Sequence, residues 1–569
     1  MGRMLPKTFF ITALITLSVI SIAWSAPPDA GQLLREQQPQ RQLPTQMLKP
    51  ELEKERPPMA DSGVSVVVKS FQFRGYEGLA TESELQELVA DSVGKKLTFN
   101  DLQELADKIT SHLRDKGWFL SRAYLPKQDV TSGNIEIAII KGSSDGSLII
   151  KRDPKARISE KVLQNIGETA VRTGQTLSLQ KLERAVLLMC DLPNVKARAS
   201  LAAGVTPGST AVQVDVEEGP LFSGSVWGDN YGNRYTGTWR GNGMLSLNDP
   251  LRYGDQLYVL ATGAEGIMLG KIAYAFPVAP CGLKGILSYT GMHYKLVGDM
   301  SDLKMDGWSH VVNAGLSYPV LRSRITNLTT TFGYEFKALS DFAFDIGIRE
   351  KQLHSGTVGL NGDNYDTVLG GGYTTLNASF TIGTMRESIA DIRITDTEGG
   401  YTHVNLGIAR LQRIADRVTL NLSYSGQLLA YKNLDSSEKF ILGGPNGVRA
   451  YPVGEAPGDE GSLFNFDLRY DLPLPSAWGS FQVSGFYDAG LITLHKNEWA
   501  NSINTATNKN NYWLQGAGLG LLYAYKNIFS LKTSWAHVIG DNPGRSTTGL
   551  NSDGMDDQYR FWLLVTMYF

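Results

Sequence analysis

Two short stretches near the C-terminal end hold the residues whose types and spacing could do chemistry: the loop Gly443-Gly444-Pro445-Asn446-Gly447-Val448-Arg449-Ala450-Tyr451 and the segment Phe486-Tyr487-Asp488-Ala489-Gly490. A guanidinium and a carboxylate can close an ion pair through two parallel hydrogen bonds. Arg449 and Asp488 are the candidates, and spacing alone leaves open whether they meet. No catalytic set forms around them. The histidines at 112, 293, 310, 354, 403, 495 and 537 are scattered without metal-ligand spacing, so no metal site is expected. Gly516-Ala517-Gly518-Leu519-Gly520 has the glycine content of a nucleotide loop, but it lies inside a predicted strand and reads as close packing in a wall. Without a phosphate-binding loop there is no visible way to use ATP, and no cofactor or enzymatic activity is expected.

The elements that must position this pair are read from the whole chain. Its 569 residues include 60 glycines and 10% aromatics, a composition that tilts towards β-structure with many turns. A net charge of -3 gives no basic footprint, so nucleic acid is not an expected partner. Arg3 and Lys7, the apolar run Phe9 to Ala23 and the small residues around Ser25 predict a secretory signal peptide over 1–25. After it, Asp29 to Gln38 predicts a short helix with Asp29 near its N-cap and Leu33 and Leu34 on one face. A Gln- and Pro-rich linker follows, completing a segment 26–62 that reads as a detachable plug helix on a flexible tether.

From residue 63 the pattern predicts β-α-α-β-β twice, over 63–142 and 143–220. In the first copy the strands are Trp118 to Pro126 and Ile135 to Lys141, after helices around Glu82 to Val93 and Asn100 to Lys116. Over 221–569 helix signals give way to sixteen short strands, with short connections alternating with long polar ones in the later part of the series. That asymmetry is expected of an outer-membrane barrel with periplasmic turns and outside loops. Phe464, Phe466, Leu468 and Tyr470 alternate with Asn465, Asp467 and Arg469, a lipid face against a lumen face. Phe561, Leu563, Val565 and Met567 repeat the alternation before Phe569. By the same parity Gln482, Ser484, Phe486 and Asp488 share the lumen face, and the loop 432–461 can fold inward with Gly443, Gly444 and Gly447 as its hinge. Parity also puts Cys281 in a periplasmic turn, on the same side as Cys190, so the topology permits a disulfide between them.

These motifs, in this order, resemble the two-partner secretion translocators (TpsB) of the Omp85 superfamily. The Gln-rich helix and linker, the two POTRA-type modules, Asp229-Asn230-Tyr231-Gly232-Asn233 at the barrel entry, Val448-Arg449-Ala450-Tyr451 and Phe486 to Gly490 all carry the resemblance. Ala450 stands where the family pattern usually has glycine. The resemblance implies a monomeric outer-membrane protein with periplasmic modules, built by the barrel-assembly machinery and embedded in outer-membrane lipid. It also implies export of an unfolded partner exoprotein (a haemolysin, an adhesin or a contact-dependent toxin) without ATP, with a barrel-assembly factor and a passive porin as alternative readings. By the same resemblance Val448, Arg449, Ala450, Tyr451 and Asp488 form a loop-barrel latch. The edge carrying Trp118, Phe119 and Tyr124 would bind the client by strand addition.

Overall fold

The computed structural model describes residues 27–38, 65–118, 120–141, 144–171, 178–203, 210–388 and 395–569. The expected signal peptide, most of the linker and Phe119 lie outside the described residues. Two small α/β modules precede a large barrel.

In the first module, helices Glu82–Val89 and Phe99–Asp115 both begin with capping boxes, Thr81 with Glu84 and Thr98 with Asp101. Each box satisfies backbone N–H groups that the first turn leaves unpaired. Leu85, Val89, Ile109 and Leu113 then pack on Phe71, Ile135 and Ile137 of a three-stranded sheet. Its order is Ser70–Arg74, Asn134–Ile140, Arg122–Tyr124, with the first two parallel. The expected strand from Trp118 to Pro126 is shorter than the sequence suggests. Gly117 ends the helix at φ +90, and the Trp118 N–H donates back to the Leu113 carbonyl at 2.9 Å, so Trp118 belongs to the helix terminus. Only Arg122–Tyr124 pairs in the sheet.

The second module repeats the plan with strand Ser144–Arg152, helices Glu160–Gly167 and Leu179–Cys190, and strands Val195–Ala203 and Thr210–Glu218. The disulfide that the topology permitted is absent, and both cysteines are free. The Cys190 thiol instead accepts from the Ala197 N–H at 3.3 Å, inside its own module.

Side chains other than the cysteines fasten this module to the periplasmic turns. Arg322 donates to both carboxylate oxygens of Asp191 at 2.9 and 2.7 Å, and Arg184 donates to the carbonyls of Pro319, Val320 and Cys281. At the turn after the second barrel strand, Asp249 and Asp255 are buried beside Glu218, whose carboxylate pairs with Arg157. Burial, with Glu218 and Asp255 adding repulsion, raises the Asp249 carboxyl from 3.8 to about 6, although the Gly254 N–H partly offsets this. A raised carboxyl pKa stabilises the folded turn fully below 3.8, and that contribution is lost as pH rises through about 6. Hydrogen-exchange protection of turn 250–254 is therefore expected to fall across that window. Asp249→Asn should flatten the change.

The barrel has sixteen antiparallel strands, from Phe222–Asp229 to Tyr559–Tyr568, and the last pairs with the first. Closure leaves no strand edge, which a bilayer demands because lipid cannot hydrogen-bond a bare backbone. No described helix is long and apolar enough to cross a membrane. The alternation read from the sequence holds: Phe464 and Phe466 are 45% and 42% exposed on the outside, whereas Asp467 is buried inside. Phe569 helps to seal the seam, since its N–H and carbonyl both bond to Gly224, at 3.0 and 2.9 Å.

Candidate functional site

The loop between strands Val418–Leu428 and Glu460–Asp471 folds into the barrel, and its tip meets the wall at a patch built by neighbouring strands. Asp488 projects inward from strand Ser480–Thr493 and is fully buried. Arg449 donates to it three times: from Nε to Oδ2 at 2.8 Å, from Nη2 to Oδ1 at 2.6 Å and from its backbone N–H to Oδ2 at 3.0 Å. The pair that spacing left open is thus closed in the structure, in bidentate geometry.

More residues join it than the sequence reading named. Arg449 Nη1 donates to Asp467 Oδ1 at 2.9 Å, and its guanidinium carbon lies 3.5 Å above the centre of the Phe486 ring. A cation over an aromatic face gains most where water is excluded, as it is here. Asn465 Nδ2 donates both to Asp488 Oδ1 at 2.7 Å and to the Gly447 carbonyl at 3.2 Å, and the Trp562 indole donates to the Arg449 carbonyl at 2.7 Å. The sequence did carry a signal for two of these. Asn465 pairs with Asp488 and Asp467 with Phe486 in the strand register, so the period-two pattern had already put all four on the lumen face.

Val448, Ala450 and Tyr451 bury their side chains around the ion pair, packed with Leu463, Leu514 and Ala536. Of the three expected hinge glycines, only Gly444 uses left-handed backbone freedom, at φ +119. Gly447 serves close approach instead: a Cβ there would overlap the Leu442 carbonyl, which accepts the Val448 N–H at 2.8 Å. Gly443 is likewise crowded, with the Pro452 carbonyl 2.5 Å from where a Cβ would sit.

The N-terminal helix Ala30–Glu36 occupies the lumen beside this loop. Asp29 caps it by accepting from the Gln32 N–H at 2.9 Å, and the same carboxylate takes Arg349 and Lys351 at 3.1 Å each and the Ser436 hydroxyl at 2.8 Å. Lys351 continues to Asp435 of the loop at 2.6 Å, while Lys337 and His403 hold Glu438 at 2.6 and 3.2 Å. Leu33 and Leu34 pack on inward wall residues including Ile267, Met292 and Tyr294. Gly31 lies so close to the loop that a Cβ would sit 2.9 Å from the Ser437 nitrogen. Helix and loop together leave a cavity of about 210 Å³ bounded by Arg35, Tyr231, Arg240 and Gly444.

The client-binding residues proposed from sequence are only partly grouped. Tyr124 is 36% exposed on the short edge strand, whereas Trp118 packs against the module core. Among the described residues no cluster of histidine, cysteine and acidic side chains has the arrangement of a metal site.

Comparison with known proteins accords with this architecture. The profile of the haemolysin secretion/activation protein ShlB/FhaC/HecB family matches residues 208–522, and that of the ShlB-type POTRA domain matches residues 66–142. The heme/hemopexin transporter protein HuxB of Haemophilus influenzae is 26% identical over 591 aligned residues, covering 100% of both chains. The outer membrane transporter CdiB of Escherichia coli is 25% identical over 428 residues, covering 72% of this chain and 70% of its own. Among solved structures, CdiB from Escherichia coli superposes with a TM-score of 0.70 at 21% identity and full coverage of both chains. BamA from Haemophilus ducreyi lacking POTRA domains 1-3 gives 0.54 at 13% identity, over 89% of this chain and 100% of that one, which shows a shared fold alone. With sixteen closed strands, two modules and an arginine-bearing inward loop, the chain belongs to the ShlB/FhaC/HecB haemolysin secretion/activation family, the outer-membrane TpsB transporters of two-partner secretion.

Proposed function

We propose that this chain captures an unfolded partner exoprotein through its POTRA modules and exports it through the barrel without ATP, the loop latch keeping the transport-competent barrel in register. The observation that carries this reading is a closed barrel whose lumen holds two pieces of its own chain, the helix Ala30–Glu36 and the inward loop. Each is held by ion pairs and hydrogen bonds, which can be exchanged for those of another polar chain, together with apolar contacts at Leu33, Leu34, Val448 and Tyr451. The exoprotein would be a haemolysin, an adhesin or a contact-dependent toxin. The whole-length likeness to a heme/hemopexin transporter adds a haem- or haemopexin-related cargo to these. Folding of the client outside the cell would supply the drive.

Capture would use main-chain pairing along Arg122–Tyr124, because that strand bonds to Asn134–Ile140 on one side and is an edge of its sheet on the other. A photo-crosslinker at Tyr124 is expected to trap the exoprotein during secretion, whereas one at the half-buried Trp118 is expected to trap far less. Capture at neither site, or equal capture at both, would refute capture at this edge. The alternative reading, a barrel-assembly factor that inserts proteins into the membrane, predicts a different defect. Deleting the chain separates them: loss of one exoprotein from the medium supports export, while a general fall in outer-membrane barrels supports assembly.

A further inference from the structure

We propose that Gly516 is the positioning residue for the loop tip, its missing side chain providing the seat into which the Ala450 methyl fits. The inference rests on the inward loop acting as a latch, and it adds the wall residue that decides which loop tip can lock. Gly516 lies on strand Asn511–Tyr525, directly opposite Asp488 in the register, so seat and latch acid are cross-strand neighbours. A Cβ at Gly516 would stand 2.5 Å from the Ala450 Cβ, closer than two carbons approach, and 3.2 Å from the His537 carbonyl oxygen.

The tip has no freedom to move aside. Arg449 is drawn to Asp488 on one side, the Trp562 indole holds the Arg449 carbonyl, and Tyr451 is 1% exposed just beyond. Ala450, also 1% exposed, is therefore pressed against the wall by the bonds of its neighbours. The other two glycines of the series do different work. At Gly518 a Cβ would overlap the Trp535 carbonyl and stand 2.6 Å from the Phe486 ring, and at Gly520 it would meet the Ser484 hydroxyl at 2.6 Å. The three share the lumen face, but of their nearest obstacles only that at Gly516 belongs to the loop, and the room shared by positions 450 and 516 holds one methyl group. Overfilling a packed site forces a shift of backbone or rotamer, whereas moving the same volume from one partner to the other is tolerated.

The test uses the full chain in outer-membrane vesicles, with Cys190→Ser, Cys281→Ser and Val448→Cys, because Val448 is fully buried when the tip is seated. Maleimide labelling of that thiol then reports loop position. Gly516→Ala is expected to raise the labelling rate by about tenfold or more. Ala450→Gly should change it little, and the two combined should bring it back to within about threefold of the parent. Gly518→Ala is expected to expose the thiol with or without Ala450→Gly, because its obstacle is a backbone carbonyl. The proposal is overturned if Gly516→Ala leaves labelling unchanged, if the combined variant labels like Gly516→Ala alone, or if Ala450→Gly rescues Gly518→Ala equally well. Heat resistance of the folded barrel on gels is read in parallel. If it stays constant while labelling follows the pattern above, the latch reading fails and the Gly516 seat stands.

Discussion

Asp488→Arg is expected to cost the barrel its heat resistance and the cell its export of the partner exoprotein. Asp488 is fully buried and accepts four hydrogen bonds, three from Arg449 and one from Asn465. Replacing it by a cation leaves two guanidinium groups facing each other with Asp467 as the nearest carboxylate. Breaking one partner of a buried, hydrogen-bonded pair typically costs about 3–5 kcal/mol, and reversal adds repulsion to that loss. A full charge swap, Arg449→Asp with Asp488→Arg, is expected to recover only part of the function. The introduced carboxylate would point at Asp467, and the cation stacked over Phe486 would be gone. Adding Asp467→Asn should improve the swapped protein while weakening the parent. Gel heat-modifiability and quantified exoprotein in the medium give both readings. A single Asp488→Arg variant with normal stability and secretion would end the latch hypothesis.

Asp29→Lys is expected to drive the N-terminal helix out of the lumen and leave the pore conducting. One carboxylate there does two jobs: it caps the helix by accepting the Gln32 N–H, and it neutralises Arg349 and Lys351 on the wall. Loss of an N-cap alone costs about 0.5–2 kcal/mol. Leaving Lys351 and Arg349 facing a third cation costs more, because Lys351 is buried there, whereas Arg349 is partly screened by solvent. A helix of this length has little stability by itself, so its position in the lumen depends on these contacts. Single-channel recordings in planar bilayers should show a larger and more persistent open conductance than the parent protein. Asp29→Asn should fall between the two, since an asparagine still caps. Unchanged conductance in Asp29→Lys would mean that Leu33 and Leu34, packed on Met292 and Tyr294, hold the helix without help from charge.

The parts of the fold that were legible in the sequence are those governed by neighbours along the chain. Period-two alternation put Phe464 outside and Asp467 inside, and the structure agrees at both. Asp29 was readable as a cap because capping is a matter of three residues, and the observed bond from Gln32 has that spacing. The repeat of the two modules was readable for the same reason. Errors arose where a local rule competed with tertiary packing. Trp118 has the residue type of a strand, yet the helix before it continues its hydrogen bonding through the Leu113 carbonyl and takes the tryptophan with it. The disulfide between Cys190 and Cys281 was only a topological possibility, and in the structure both are free, the Cys190 thiol being bonded to Ala197 within its own module.

By itself the sequence determined the barrel, its lumen face, the two modules and the presence of one arginine and one aspartate suited to pairing, because alternation, caps and turns act over a few residues. Only the tertiary structure decided that Arg449 also meets Asp467 and Phe486, that Asp29 bridges helix, wall and loop, and that Ala450 rests against Gly516. Those contacts join segments tens to hundreds of residues apart. They exist only after strand register and the inward fold of the loop have fixed where each side chain stands, and nothing in the local pattern specifies that.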